Sequence, residues 1–363
     1  MSGDRTALEE IIRAEIAARG PMGLDRYMAL CLAHPQHGYY RKQDPLGLQG
    51  DFVTAPEISQ IFGELVGLWL AQVWMDQGAP SPFALVETGP GRGTLMSDIL
   101  RATAKVPGFH AGMLLHLVET SPVLRRRQAE ALRGFEPLCL DRLEDAPDLP
   151  ILLVANEFFD ALPIRQFERV GEGWREQLVG LAEDRLDLVP GPLRPDPGLL
   201  ARAPDLPEGG LLETCEVGEA IAAGLGERLR TRGGAALIVD YGYDAAMRDA
   251  AGGVDTLQAM RDHDFVNPFD DPGEADLTAH VDFDALAAAA GVPRYGIVGQ
   301  GAFLLALGAA QRAEALATTR PDHVDDIRTS LHRLTDAEEM GTLFKAMALT
   351  APGAPPTPGF PHS

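Results

Sequence analysis

Residues Phe83–Met96 read FALVETGPGRGTLM, and this stretch decides the fold. An apolar run closes on an acid, Glu87, and three glycines follow at alternate positions, Gly89, Gly91 and Gly93, interrupted by Pro90 and Arg92. The next residues are able to begin a helix. This punctuation predicts a buried strand, a tight turn and a helix start. Glycine has no Cβ, so such a loop allows positive φ and lets the backbone come within contact distance of a ligand. Glu87, at the strand end, can accept hydrogen bonds from a ligand hydroxyl or amine. A nucleotide-like cofactor is the expected occupant.

Downstream, apolar runs recur at Met113–Val118, ending at Glu119, at Pro137–Leu140, ending near Asp141, at Ile151–Ala155, and at Ala235–Val239, ending at Asp240. Helical patterns over Leu95–Ala102 and Pro122–Arg133 lie between them. This alternation predicts an α/β fold with a doubly wound, mostly parallel sheet. Ligands bind such sheets at the carboxyl ends of the strands, where the strand order reverses. Near the end, Tyr295–Val298 and Phe303–Leu307 are separated only by Gly299, Gln300 and Gly301, a spacing that predicts an antiparallel hairpin.

Upstream, apolar spacing predicts helices over Thr6–Ala18 and Leu24–Ala33, and another carrying Ile61, Leu65, Leu68, Trp69 and Val73. The glycine-led segment Gly50–Thr54 just before that helix is expected to cover a ligand, with Asp51 and Thr54 as contacts. His34 and His37 flank Pro35, which spoils a helical metal-binding face, so both are expected to be structural. The organisation expected is an N-terminal helical region over 1–75 and a main domain over 76–349 with insertions at about 170–230 and 243–280. A Pro-rich tail over 350–363 is expected to be disordered. The first insertion reads as an excursion without a core of its own, and the second as a candidate lid.

The chain has 31 basic and 53 acidic side chains, a formal charge of −22. Such a surface disfavours nucleic acid, which needs clustered Lys and Arg, and favours cationic partners, arginine-bearing proteins among them. The three cysteines form no CxxC pair, so neither a zinc site nor a disulfide framework is indicated, and no metal is expected. A reducing cytoplasm fits, the N-terminal helix is acidic rather than transit-like, and no apolar run reaches the length of a membrane span.

A dinucleotide fold would carry GxGxxG. The alternate glycines here, preceded by an acid, resemble instead the first motif of class I S-adenosylmethionine-dependent methyltransferases. That resemblance implies that Glu87, Gly89, Pro90, Gly91 and Gly93 lie under the methionine portion of the cofactor. It also implies that Glu119 takes both ribose hydroxyls, as a carboxylate can accept two hydrogen bonds from a vicinal diol, and that Asp141 lies toward the adenine.

Eight segments in order, HPQHGYY, DPLG, GDFVTAPEISQIFGE, ETGPGRGTLMSDILR, NEFFDALPIRQF, IVDYG, DLTAHVDF and GQGAFLLALG, closely resemble the MidA-type methyltransferase family over roughly Met22 to Leu349. The family more often has Leu at the position of Thr88 and often an aromatic near Leu140. The resemblance implies a class I-like sheet with an added N-terminal helical region and insertions. It further implies methylation of a protein arginine, with a respiratory complex I subunit as substrate and the bacterial substrate open. Asn156, Glu157, Phe158, Phe159 and Asp160 would then stand beside the transferred methyl group. Arginine keeps its charge and delocalises its lone pairs, so carboxylates must orient it. Glu157 and Asp160 are the candidates, with Asn156 beside them and Phe158 and Phe159 flanking the guanidinium plane. Core packing also explains the two phenylalanines, a helix cap explains Asp160, and structural hydrogen bonding explains Asp240 and His280. A small-molecule or other protein methyltransferase, or a non-catalytic cofactor-binding assembly factor, would share these features.

Overall fold

The computed structural model describes residues 5–42 and 54–361, so Asp51 and the DPLG segment lie outside the described residues. The central sheet contains β1 (Phe83–Thr88), β2 (Met113–Val118), β3 (Leu138–Leu140), β4 (Ile151–Asn156), β5 (Gly234–Tyr243), β6 (Arg294–Gly299) and β7 (Phe344–Thr350). Their order across the sheet is β3-β2-β1-β4-β5-β7-β6, and a two-residue strand, Val281–Asp282, extends the end of β5. β7 runs antiparallel to both its neighbours, and the other pairings are parallel. The order reverses between β1 and β4. The two loops that leave the carboxyl ends of these neighbours are the glycine loop and the NEFFD turn, so the topology brings the two motifs together.

Every residue of β1 is buried, as expected of a parallel strand covered on both faces. Phe83 and Leu85 join the core on one face, with α3 (Gln60–Asp76) and α4 (Thr94–Thr103). Ala84 and Val86 join the other, with α6 (Glu216–Arg232) and α7 (Phe283–Ala290), while α5 (Pro122–Ala131) follows β2. The Ser59 hydroxyl accepts the Ile61 N–H and starts α3. α3 and α4 approach closely because Gly67 lacks a side chain: a Cβ there would lie 2.9 Å from the Ile99 Cα.

The antiparallel end of the sheet differs from the expected hairpin. Phe303–Leu307 does not pair with β6; residues Gln300–Ala306 are helical, and β7, dozens of residues later, is the antiparallel partner of β6. A short apolar run does not by its period distinguish a buried helix from a buried strand. Here a Cβ on Gly301 would lie 2.2 Å from the Thr335 carbonyl oxygen, so this segment is packed tightly as a helix against its neighbour.

The N-terminal helices, α1 (Ala7–Arg19) and α2 (Leu24–Ala33), do not form a unit with α3. They share a core with an antiparallel sheet of Arg165–Val170, Gly173–Ala182, Arg185–Arg194 and Leu211–Thr214, joined by Met22–Gly23. A three-stranded sheet of Gln258–Arg261, Asp264–Val266 and Asp276–Thr278 packs into the same core through Ala259 and Leu277. The region beginning near residue 170 is thus a sheet whose core is completed by Ile12, Tyr27 and Met28 from the other end of the chain, not a coreless excursion. Residues 216–232, expected within that insertion, are the crossover helix α6.

The tail up to residue 361 packs against the rest of the protein, contrary to expectation. Trp69 Nε1 donates to the Pro358 carbonyl at 3.0 Å, and Phe360, 6% exposed, lies 5.0 Å from Phe303 between ring centroids. Phe360 and the Pro358 carbonyl tie down a segment whose composition reads as disorder. Among the described residues, no helix is long and apolar enough to cross a membrane.

Candidate active site

A cavity of about 820 Å³ opens at the carboxyl ends of the strands around the reversal point, with Glu87, Gly89, Gly91, Glu119, Asn156 and Glu157 in its wall. Thr54, Pro90, Arg92, Asp141 and Phe158 also line it, and Tyr40 and Arg41 bring the N-terminal segment to its edge. Gly89 and Gly91 have φ of +61° and +51°, as the loop between β1 and α4 was expected to require. A Cβ on Gly89 would lie 3.0 Å from Phe158 Cδ2, so the glycine loop is packed directly against the turn that follows β4. Gly93 does not line the cavity. It precedes α4 at φ +85°, with Gln128 and Ala131 its nearest neighbours.

Glu87 is 2% exposed, its Oε2 has no partner among the described residues, and burial pushes its carboxyl up to about 8. Glu119 is half-buried, and burial raises its carboxyl too, against the opposing effect of its hydrogen bonds. Its Oε1 accepts the Ser121 N–H at 2.6 Å and its Oε2 accepts Gln128 Nε2 at 3.3 Å. Arg125 Nε donates to the Glu119 carbonyl, and its Nη2 donates to Asp141 at 2.7 Å, steadying an otherwise exposed side chain. Neither Arg125 nor Gln128 was singled out in the sequence. Their signal was a polar pair one turn apart on α5, which is too common to be informative alone.

After β4, the backbone turns sharply. Glu157 has φ +49°, uncommon for a residue with a side chain. Its N–H donates to the Val239 carbonyl at 2.9 Å, and its Oε1 accepts from Asn156 Nδ2 at 3.0 Å and from the Ala55 N–H at 3.3 Å. Burial, reinforced by the nearby Asp160, pushes the Glu157 carboxyl up to about 8.

The same turn corrects two expected contacts. Phe159, 5% exposed, joins the core beneath the sheet rather than the cavity, so it cannot flank a substrate plane there. Asp160, also 5% exposed, lies among buried groups behind Glu157 and does not line the cavity. Successive side chains diverge through the turn, and of residues 157–160 Glu157 and Phe158 line the cavity while Phe159 and Asp160 do not. His280 likewise stays outside it, its ring edge-on to Tyr241 at 5.4 Å and its N–H donating to Thr256 Oγ1. His34 Nδ1 accepts the backbone N–H groups of Gln36 and His37, the structural role expected of this pair.

A family model of S-adenosyl-L-methionine-dependent methyltransferases matches residues 65–297. The chain belongs to this family. It is 36% identical over 377 residues to a Drosophila melanogaster protein named protein arginine methyltransferase NDUFAF7 homolog, mitochondrial, covering 94% of this chain and 84% of the relative. It is 37% identical over 369 residues to the Danio rerio protein arginine methyltransferase NDUFAF7, mitochondrial, covering 92% and 84%. A methyltransferase-like protein of Burkholderia thailandensis, crystallised with S-adenosyl-homocysteine, superposes with a TM-score of 0.84 at 30% identity, covering 97% of this chain and 94% of that one. This methyltransferase therefore uses S-adenosylmethionine. The Oε2 of Glu87 in the cavity wall, without a partner among the described residues, and the side-chain-free backbone of Gly89 and Gly91 fit that cofactor: a buried acceptor can take a donor, and close approach is open.

Proposed function

We propose that this methyltransferase modifies an arginine side chain of a protein substrate. The observation that carries the reading is Glu157, a carboxylate reaching the cavity from the turn packed on the glycine loop. The names of the similar NDUFAF7 proteins support it, as does a net charge of −22, which favours a cationic partner.

When bound, S-adenosylmethionine supplies a methyl group on a sulfonium, and the chain must hold a poor nucleophile in line with it. Positioning contributes much of the rate in such a transfer. The Glu157 carboxylate accepts guanidinium N–H groups and turns one terminal nitrogen toward the methyl, an attraction that the low dielectric of a buried site strengthens. Asn156 donates to Glu157 Oε1 and so orients the carboxylate. Phe158 covers the guanidinium plane. Methylation makes the attacking nitrogen shed a proton, and the Glu157 carboxylate, which burial makes more basic than an exposed one, is placed to receive it. Glu87, Gly89, Pro90, Gly91, Thr54 and Asp141 are assigned to the cofactor, with Glu119 on its ribose.

Within this reading the acceptor is a subunit of respiratory complex I or of its bacterial counterpart, and the reaction takes place in a bacterial cytoplasm. The test is transfer of labelled methyl from S-adenosylmethionine into a lysate of cells lacking this protein, followed by mass spectrometry. Methylated arginine in a protein is expected. Label confined to metabolites, or to lysine, would sink the arginine reading, and cell fractionation checks the compartment.

A further inference from the structure

We propose that Asp240 is a positioning residue that holds Glu157 in its left-handed, cavity-facing conformation. The inference rests on the role given above to Glu157. Asp240 stands near the end of β5, beside the end of β4, and is fully buried. Its Oδ2 accepts three successive backbone N–H groups, from Phe158 at 3.1 Å, Phe159 at 2.9 Å and Asp160 at 3.4 Å. Its Oδ1 accepts the Tyr241 N–H at 3.0 Å. Together with the bond from the Glu157 N–H to the Val239 carbonyl, four consecutive amides of the turn are thus tied to two consecutive residues of β5.

A side-chain-bearing residue keeps a positive φ only where its surroundings over-determine it. The peptide groups on the C-terminal side of Glu157 have no strand partner, because β4 ends at Asn156. Without Asp240 these amides would be buried donors seeking other acceptors, and the turn would relax toward an ordinary φ. Such a relaxation swings the Glu157 carboxylate away from the Asn156 and Ala55 donors that aim it. Asp240 touches neither the cavity nor a position assigned to the cofactor, so it acts through Glu157. Asparagine in its place offers a single acceptor oxygen and turns an NH₂ group toward N–H donors.

The test compares Asp240→Asn, Glu157→Gln and the double variant in the full chain. Affinity for S-adenosyl-homocysteine is measured by calorimetry, and the initial rate of labelled methyl transfer into the lysate by varying S-adenosylmethionine. For Asp240→Asn the rate at saturating cofactor is expected to fall about ten-fold or more, since a misplacement of about 1 Å costs that much or more. The apparent KM for the cofactor and the S-adenosyl-homocysteine affinity are expected to stay within about two-fold, and the calorimetric stoichiometry to match that of wild type, which rules out a loss of folded protein as the source of the lower rate. The double variant is expected to be no slower than Glu157→Gln. An unchanged saturating rate in Asp240→Asn, or a double variant slower than Glu157→Gln by the full Asp240→Asn factor, overturns the inference while leaving the role of Glu157 intact. Full activity in Glu157→Gln removes that role and the inference with it. Should Asp240→Asn not fold, hydrogen exchange in the wild-type protein decides. Slow exchange at the amides of Phe158, Phe159 and Asp160 supports the clamp, and exchange as fast as in surface loops overturns it.

Discussion

Gln128 Nε2 lies 2.7 Å from the carbonyl oxygen of Gly91, so a side chain on α5 holds the backbone of the glycine loop. The same nitrogen is 3.3 Å from Glu119 Oε2, and Gln128 is fully buried. One amide therefore sets the distance between the loop and the acid at the end of β2, the two elements that flank the cofactor's methionine and ribose in the proposed assignment.

Gln128→Ala is expected to weaken S-adenosyl-homocysteine binding about ten-fold, because the Gly91 carbonyl and the Glu119 carboxylate lose a shared donor. Calorimetry measures this directly. An affinity within a factor of two of wild type would show that loop and acid are held independently.

Glu157→Gln is expected to bind S-adenosyl-homocysteine normally and to lose about 100-fold or more in methyl transfer, since the amide keeps the shape but carries no charge to orient and neutralise a cation. Calorimetry and label transfer on one preparation separate the two effects. Unchanged transfer would remove the residue from the mechanism.

The raised carboxyls of Glu87 and Glu157 make the ligand-free protein's stability depend on pH. Both titrate near 8 in the folded chain, above the ordinary value of 4.5, so the folded state binds more protons than the unfolded state between these limits. The stability they contribute is full below about pH 4.5 and is lost as pH rises through about 8. Thermal unfolding from about pH 5.5 to about pH 8.5 should show a falling Tm, with a shallower fall in Glu87→Gln and in Glu157→Gln. Equal slopes in all three proteins would contradict the assignment. Methyl transfer should move the opposite way, rising as Glu157 ionises.

Gly89→Ala introduces a Cβ 3.0 Å from Phe158 Cδ2 at a backbone φ of +61°. A cost of about 1–2 kcal/mol in stability is expected, together with weaker cofactor binding, as the loop and the NEFFD turn must separate. Denaturant unfolding and calorimetry check the two parts. Wild-type behaviour in both would mean that the close approach is not needed.

Phe360→Ala is expected to cost about 3 kcal/mol, the usual range for emptying a buried aromatic site. A lowered denaturant midpoint checks it, and no change would mean that the tail does not hold the Phe303 region.

The legible parts of the molecule were those encoded by neighbours in sequence. Buried strands of five or six apolar residues and the alternate glycines each state a local backbone preference, and β2 and α2 fall on the residues their patterns marked. The failures share one cause. Phe303–Leu307 reads equally as strand or helix because its apolar run has no distinguishing period. The insertion beginning near residue 170 reads as coreless because the other half of its core, Ile12, Tyr27 and Met28, lies far away in the chain. Phe159 and Asp160 were placed in the site with Glu157 because sequence adjacency carries no information about where a left-handed turn sends each side chain.

The sequence by itself determined that a glycine loop follows a buried strand, that an acid ends the next strand, and that the chain is a methyltransferase of recognisable kind. Such features depend on φ preferences and side-chain period within a few residues. Only the tertiary structure decided which residues act together: Gln128 with Gly91, Glu157 but not Asp160 in the cavity wall, and Asp240 beneath the turn. Those relationships join residues from separate elements, up to 82 positions apart in the bond from the Phe158 N–H to Asp240. They arise from strand order and the close approach of buried donors and acceptors, for which no stretch of chain carries a local signature.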